Sequence, residues 1–121
     1  MAVINGKTDH VQHGVLQTTW AGLATGDTGT TQQLSRYPVH SVQFLGTFGG
    51  STVTLEGSDD NVTFFTLTGE SAAGGADSIV STAAATRFDI KNIVPLHIRP
   101  KVTGGAGVSV TVILTSRSFG H

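Results

Sequence analysis

The sequence predicts an all-β fold, an antiparallel sandwich or barrel, on three observations. Threonine and valine are abundant, 18 and 13 of 121 residues, and branching at Cβ restricts χ1 and favours a pleated surface. Short runs alternating apolar with polar residues recur at turn spacings of about 8–12 residues. No segment long enough for a sizeable helix carries a 3.6-residue apolar period. A chain of this length holds one domain and buries roughly two thirds of its unfolded surface.

Residues 1–14 are mixed polar with scattered valine and isoleucine. They read as an extended N-terminal arm, either frayed or ordered against a partner, ahead of a single domain over 15–121. Residues 15–20 make a first strand, and 24–33 a polar loop without core-forming residues. Over 41–48, Val42, Phe44 and Phe48 share a face; over 52–56, Val53 and Leu55 do. Gly49-Gly50 between them predicts a tight hairpin, since glycine accepts the positive φ such a turn needs.

Residues 57–61 (Gly-Ser-Asp-Asp-Asn) are dense in side chains that bond their own backbone in turns, and 62–68 read as the returning strand. A small-residue surface loop is expected over 69–77, a short strand over 78–82, and at Ala83-Ala84-Ala85 a possible opening of a helical turn. Residues 87–90 alternate cleanly before a break at 92–95. In 96–102, Leu96, Ile98 and Val102 alternate with His97, Arg99 and Lys101. Pro100 cannot donate to a ladder, so an edge position or a bulge is expected there. Residues 103–107 form a turn, and 108–114 the last strand.

Composition removes several functions. Without cysteine there is no disulfide framework, thiolate zinc site or cysteine nucleophile. A net charge of −1 argues against coating nucleic acid. Residues 1–7 are too short and polar for a signal peptide, and no apolar run approaches ~18 residues. A soluble chain made in a reducing compartment, with no membrane partner, is expected.

Serine, histidine and aspartate occur, but no Gly-x-Ser-x-Gly elbow does. His10-x-x-His13 puts its two imidazoles on opposite faces of a strand. Asp59-Asp60-Asn61 with Asp27 offers oxygens for calcium but lacks the glycine and terminal glutamate of an EF-hand, and an ordinary Asp/Asn-rich turn explains it. Gly46-Thr47-Phe48-Gly49-Gly50 fits no phosphate-cradling pattern. The Asn61-Val62-Thr63 sequon has no secretion signal beside it. No catalytic, cofactor or metal site is expected. His97, Arg99 and Lys101 share one strand face, an exposed cationic stripe that either blocks edge pairing or meets an acidic protein surface.

Several motifs together resemble a known family. Residues 20–29 (Trp-Ala-Gly-Leu-Ala-Thr-Gly-Asp-Thr-Gly) are similar to the opening of small virion structural proteins of tailed bacteriophages. So are residues 42–50, 55–60 and 98–105, in the same order, across about 18–115. Several related sequences carry a Ser-Asn-Asp-Gly turn with a tryptophan shortly after. Here the turn is Ser58-Asp59-Asp60-Asn61, with Phe64 or Phe65 near the tryptophan's place, which keeps a packing role for the segment.

The resemblance is strongest to head decoration (cement) proteins. It implies a jelly-roll sandwich without enzymatic activity, made in the host cytoplasm and bound to the outer capsid surface of the virion. The implied partners are the major capsid protein and further copies of the chain, as a homo-dimer or homo-trimer. The expected contacts are the arm and one sheet face, with Trp20, His97, Arg99 and Lys101. Two alternatives stand beside this reading, a carbohydrate-binding or adhesion module and a neck or tail structural protein.

Overall fold

The computed structural model describes residues 3–12, 15–33, 39–71, 76–78, 80–81, 86–90 and 96–117. These form fourteen strands and no helix. In chain order they are β1 (Val3–Ile4), β2 (Lys7–Gln12), β3 (Val15–Leu23), β4 (Thr28–Gly29), β5 (Gln32–Gln33), β6 (Val39–Thr47) and β7 (Thr52–Ser58). There follow β8 (Phe65–Thr66), β9 (Thr68–Ser71), β10 (Ala76–Ser78), β11 (Val80–Ser81), β12 (Thr86–Ile90), β13 (His97–Thr103) and β14 (Ser109–Arg117).

They make two seven-stranded sheets. The first has the order β1-β4-β13-β7-β11, with β5 also on β13 and β8 on β7; the second runs β10-β9-β12-β6-β14-β3-β2. Every pairing is antiparallel except β1 with β4. From β3 onward the principal strands β3, β4/β5, β6, β7, β11, β12, β13 and β14 change sheet at every step but one, β7 and β11 being neighbours in the first sheet. The row β3-β14-β6-β12 thus belongs to one sheet and β4/β5-β13-β7-β11 to the other, which is a jelly roll. The short β8, β9 and β10 are an excursion between β7 and β11.

This path corrects the hairpin expected at Gly49-Gly50. The reversal is there, with φ of 57° and 80° and the Ser51 amide donating to the Phe48 carbonyl at 2.9 Å. The turn, however, carries the chain from β6 in one sheet to β7 in the other. Two positive-φ residues fix a reversal of direction, not which strands pair. β6 has both its edges taken by β12 and β14, and β7 lies beside β13. The turn over 104–107 makes the same crossing from β13 to β14, and the two turns meet where the Ala106 amide donates to the Gly49 carbonyl at 3.0 Å.

Other boundaries also move. The loop expected over 24–33 contains β4 and β5, and the one over 69–77 contains parts of β9 and β10. Val62 and Thr63 belong to the turn rather than to a strand, because Asp60 Oδ1 accepts both their amides. Residues 72–75, 79, 82–85, 91–95 and His13 lie outside the described residues, and with them the alanine helical turn, the 92–95 break and the His10-x-x-His13 pairing. Pro100 is not on an edge: β13 pairs with β7 without interruption from His97↔Ser58 to Thr103↔Thr52. On the other side, Lys101↔Thr28 and Ile98↔Gln32 leave three residues, 29–31, opposite Arg99 and Pro100. The bulge therefore sits beside the residue that cannot donate.

The core lies between the sheets. Trp20, Leu23, Val42, Phe44, Val112 and Leu114 from the second sheet face Val53, Leu55, Ile98 and Val102 from the first, all buried. Within the segment expected as an arm, the described residues 3–12 hold β1 and β2. β1 pairs at the edge of the first sheet and β2 at the edge of the second, so residues 3–7 strap one open side of the sandwich. Thr30 anchors the strap: its amide donates to the Ile4 carbonyl at 2.8 Å, and its hydroxyl accepts from the Gly6 amide at 2.9 Å.

Candidate contact surface

β13 and β7 lie side by side in the first sheet, and their outward residues include three of the four residues singled out from sequence. Arg99 stands opposite Glu56; its Nε donates to Glu56 Oε1 at 3.1 Å. Its guanidinium lies 3.6 Å from the centroid of the Phe64 ring, a cation–π contact. His97, opposite Ser58, is buried, with Nδ1 lacking a hydrogen-bond partner. Lys101 is half-buried between Thr54 and Thr28.

The exposed cationic stripe is therefore corrected. The three residues share a face as alternation requires, but one is buried, one is neutralised by its cross-strand carboxylate, and Lys101 remains. Phe64 has the packing role expected of the aromatic after the turn.

Trp20 is not at the surface. It is fully buried, and its indole N–H donates to the Thr30 carbonyl at 3.0 Å. The strap closes over it so tightly that a Cβ on Gly6 would stand 2.7 Å from Nε1, and one on Gly29 2.6 Å. A ring held this way is a core residue and cannot touch a partner while the strap is in place.

Three of the four large exposed apolar residues among those described, all but Val3, lie around the turn after β7, at the end of the sandwich where β13 begins. Ser58 is buried and donates to Asp60 Oδ1 at 2.7 Å. The same oxygen accepts the Thr63 amide at 2.8 Å and the Val62 amide at 2.9 Å. These amides, Thr63's first, and the Ser58 hydroxyl hold the Asp60 carboxyl down at about 2. Asn61 supplies the left-handed residue, φ 61°, and Asp59 Oδ1 accepts the Leu96 amide at 3.1 Å.

The result is a rigid, anionic turn flanked by exposed apolar side chains: Val62 at 80%, Phe65 at 44% and Leu96 at 39%. The returning strand expected over 62–68 is there at Phe65, in β8 against β7, but Val62 lies in the turn before it. The signal for the later start was the run Val62-Thr63-Phe64-Phe65, which does not alternate. Asp27 does not join this turn. Its carbonyl accepts the Val102 amide and its Oδ2 the Ala24 amide, each at 2.9 Å, at the far end of β13.

No family model matches the sequence, and comparison with curated proteins gives no match. Solved structures do share the fold. The crystal structure of SPBc2 prophage-derived protein YomS aligns with a TM-score of 0.72 at 14% identity, covering 91% of this chain and 100% of that one. Looser likenesses are protein NMB1881 from Neisseria meningitidis, with a TM-score of 0.38 at 12% identity over 93% of this chain and 82% of that one, and recombinant oxalate oxidase in complex with glycolate, at 0.46 and 16% over 88% and 43%. The likeness to YomS is one of fold, and it takes in the whole of that chain.

Proposed function

We propose that this chain is a non-enzymatic structural protein of a tailed-phage virion, a decoration (cement) protein that binds the outer surface of the head and stabilises it. The observation that carries the reading is the ordered run of motifs over residues 18–115 that resembles such proteins. The fold shared with a prophage-derived protein supports a phage origin.

The surface chemistry is in keeping with it. A cement protein works by buried area across subunit joints, and each apolar side chain such as Val62, Phe65 or Leu96 contributes roughly 1–2 kcal/mol when covered. Because the Asp60 network already fixes the turn, little ordering entropy opposes docking. Many copies on one shell multiply a modest contact. The carbohydrate-binding alternative needs an aromatic platform, and among the described side chains Phe65 is the exposed ring, with Phe64 under Arg99.

Quantitative mass spectrometry of purified virions tests the proposal. Copy numbers of the order of the major shell subunit are expected. A count matching a neck or tail ring would overturn head decoration in favour of the neck or tail alternative, and absence from virions would overturn both.

A further inference from the structure

We propose that Asn5 is a site of spontaneous covalent modification. It converts to isoaspartate through a succinimide, a reaction that Thr30 restrains while the strap is closed and that opens the strap once it has occurred. This goes beyond the virion reading and does not depend on it.

Asn5 precedes Gly6, and it is exposed in the strap between β1 and β2. In such a pair the backbone nitrogen of glycine can attack the asparagine Cγ, because no Cβ on the following residue hinders the approach. A bond forms between Gly6 N and Asn5 Cγ, and the side-chain amide leaves as ammonia, taking the Gly6 amide proton. Water then opens the succinimide. Addition at the side-chain carbonyl leaves aspartate in an ordinary chain. Addition at the main-chain carbonyl leaves isoaspartate, with the chain running through Cγ and one methylene longer.

Packing imposes glycine at this position. A Cβ on Gly6 would also stand 2.9 Å from Thr18 Cγ2, besides its clash with Trp20 Nε1. The residue that makes Asn5 reactive is therefore the one the buried indole requires. The closed strap also supplies the restraint. Thr30 holds the chain on both sides of Asn5, its amide donating to the Ile4 carbonyl and its hydroxyl accepting from the Gly6 amide. An N–H engaged in this way resists losing its proton, and a glycine packed against the indole cannot swing toward Cγ.

Isoaspartate undoes the closure. Its extra methylene adds about 1.5 Å of chain between Ile4 and Gly6, more than a hydrogen bond can absorb and remain one. Thr30 cannot then keep both of its bonds, and the cover over Trp20 is lost with them. The step consumes only water and releases ammonia, so the strap opens once and does not reclose.

Peptide mapping by mass spectrometry tests this on the full chain, aged in mildly alkaline buffer beside a synthetic peptide of residues 1–12. Asn5 should convert at least about tenfold more slowly in the folded chain than in the peptide, because reaction waits on opening of the strap. Thr30→Val should speed conversion about three- to tenfold, the rate equivalent of one net hydrogen bond, and raise hydrogen exchange at the Gly6 amide with it. Thr30→Ser keeps the hydroxyl and should stay near the wild-type rate. In aged wild type, the isoaspartate fraction should carry red-shifted Trp20 emission open to acrylamide. Asn5→Gln, which closes a ring far more slowly, should show neither change. Equal rates in chain and peptide would overturn the proposal. So would Thr30→Val converting no faster than the wild type, or isoaspartate chains whose Trp20 emission stays unshifted.

Discussion

Lowering the pH from 7 to 5 should cost this fold about 2 kcal/mol through His40 alone. His40 is fully buried beside β14, its Nδ1 sharing a hydrogen bond with Ser116 Oγ at 2.8 Å and its Nε2 lacking any partner. Burial disfavours the imidazolium and lowers its pKa from 6.5 to about 4. Between those values the unfolded chain holds the proton and the folded chain does not, so stability rises with pH across the window. The contribution is complete well above pH 6.5 and lost as the pH falls to 4. At 1.36 kcal/mol per pH unit the separation is worth about 3 kcal/mol, of which about 2 are gone by pH 5. Urea unfolding followed by emission of the single tryptophan, Trp20, measures it at pH 7, 6 and 5. His40→Asn keeps a donor toward Ser116 and removes the titration, so its stability should depend on pH by about 2 kcal/mol less than the wild type over that range. Equal pH dependence in the two proteins would refute the reasoning.

Three further outcomes follow from the same geometry. Deleting residues 1–6 removes the strap, so Trp20 emission should shift to the red and become accessible to acrylamide; an unshifted, unquenched spectrum would contradict the strap. Gly50→Ala meets open space and should cost roughly 1–2 kcal/mol for its positive φ, whereas Gly49→Ala drives its Cβ into the Ala106 carbonyl and should cost about 1–3 kcal/mol more, as chemical denaturation would show. Asp60→Ala should accelerate hydrogen exchange at the Val62 and Thr63 amides; in the wild type the same loosening is expected only in acid, because the carboxylate's stabilisation is intact above its ordinary value of 3.8 and lost as the pH falls through about 2.

The alternation of Val42, Phe44, Val53, Leu55, Ile98 and Val102 was enough to place the core, because a period of two is what a half-buried strand imposes. It was not enough to pair the strands. Gly49-Gly50 looks alike in a hairpin and in a crossing between sheets, and only the neighbours of β6 and β7 distinguish the two. Trp20 shows the limit at a single side chain. Leu16, Thr18 and Trp20 alternate inward, yet what buries the indole is Gly6, Gly29 and Thr30, brought together by the strap. The surface at Val62, Phe65 and Leu96 was illegible for a related reason: it depends on Asp60 collecting three hydrogen bonds, and an Asp-rich turn announces a reversal without saying which side chains it lifts into solvent.

The proposed role for this jelly roll is contact on the outside of a phage head. A cryo-EM map of the virion that carries it tests that most directly. Density for the sandwich is expected at repeated lattice positions on the outer shell, with the end bearing Val62, Phe65 and Leu96 against the shell subunits. Density confined to the neck, tail or fibres, or none on the particle, would contradict it.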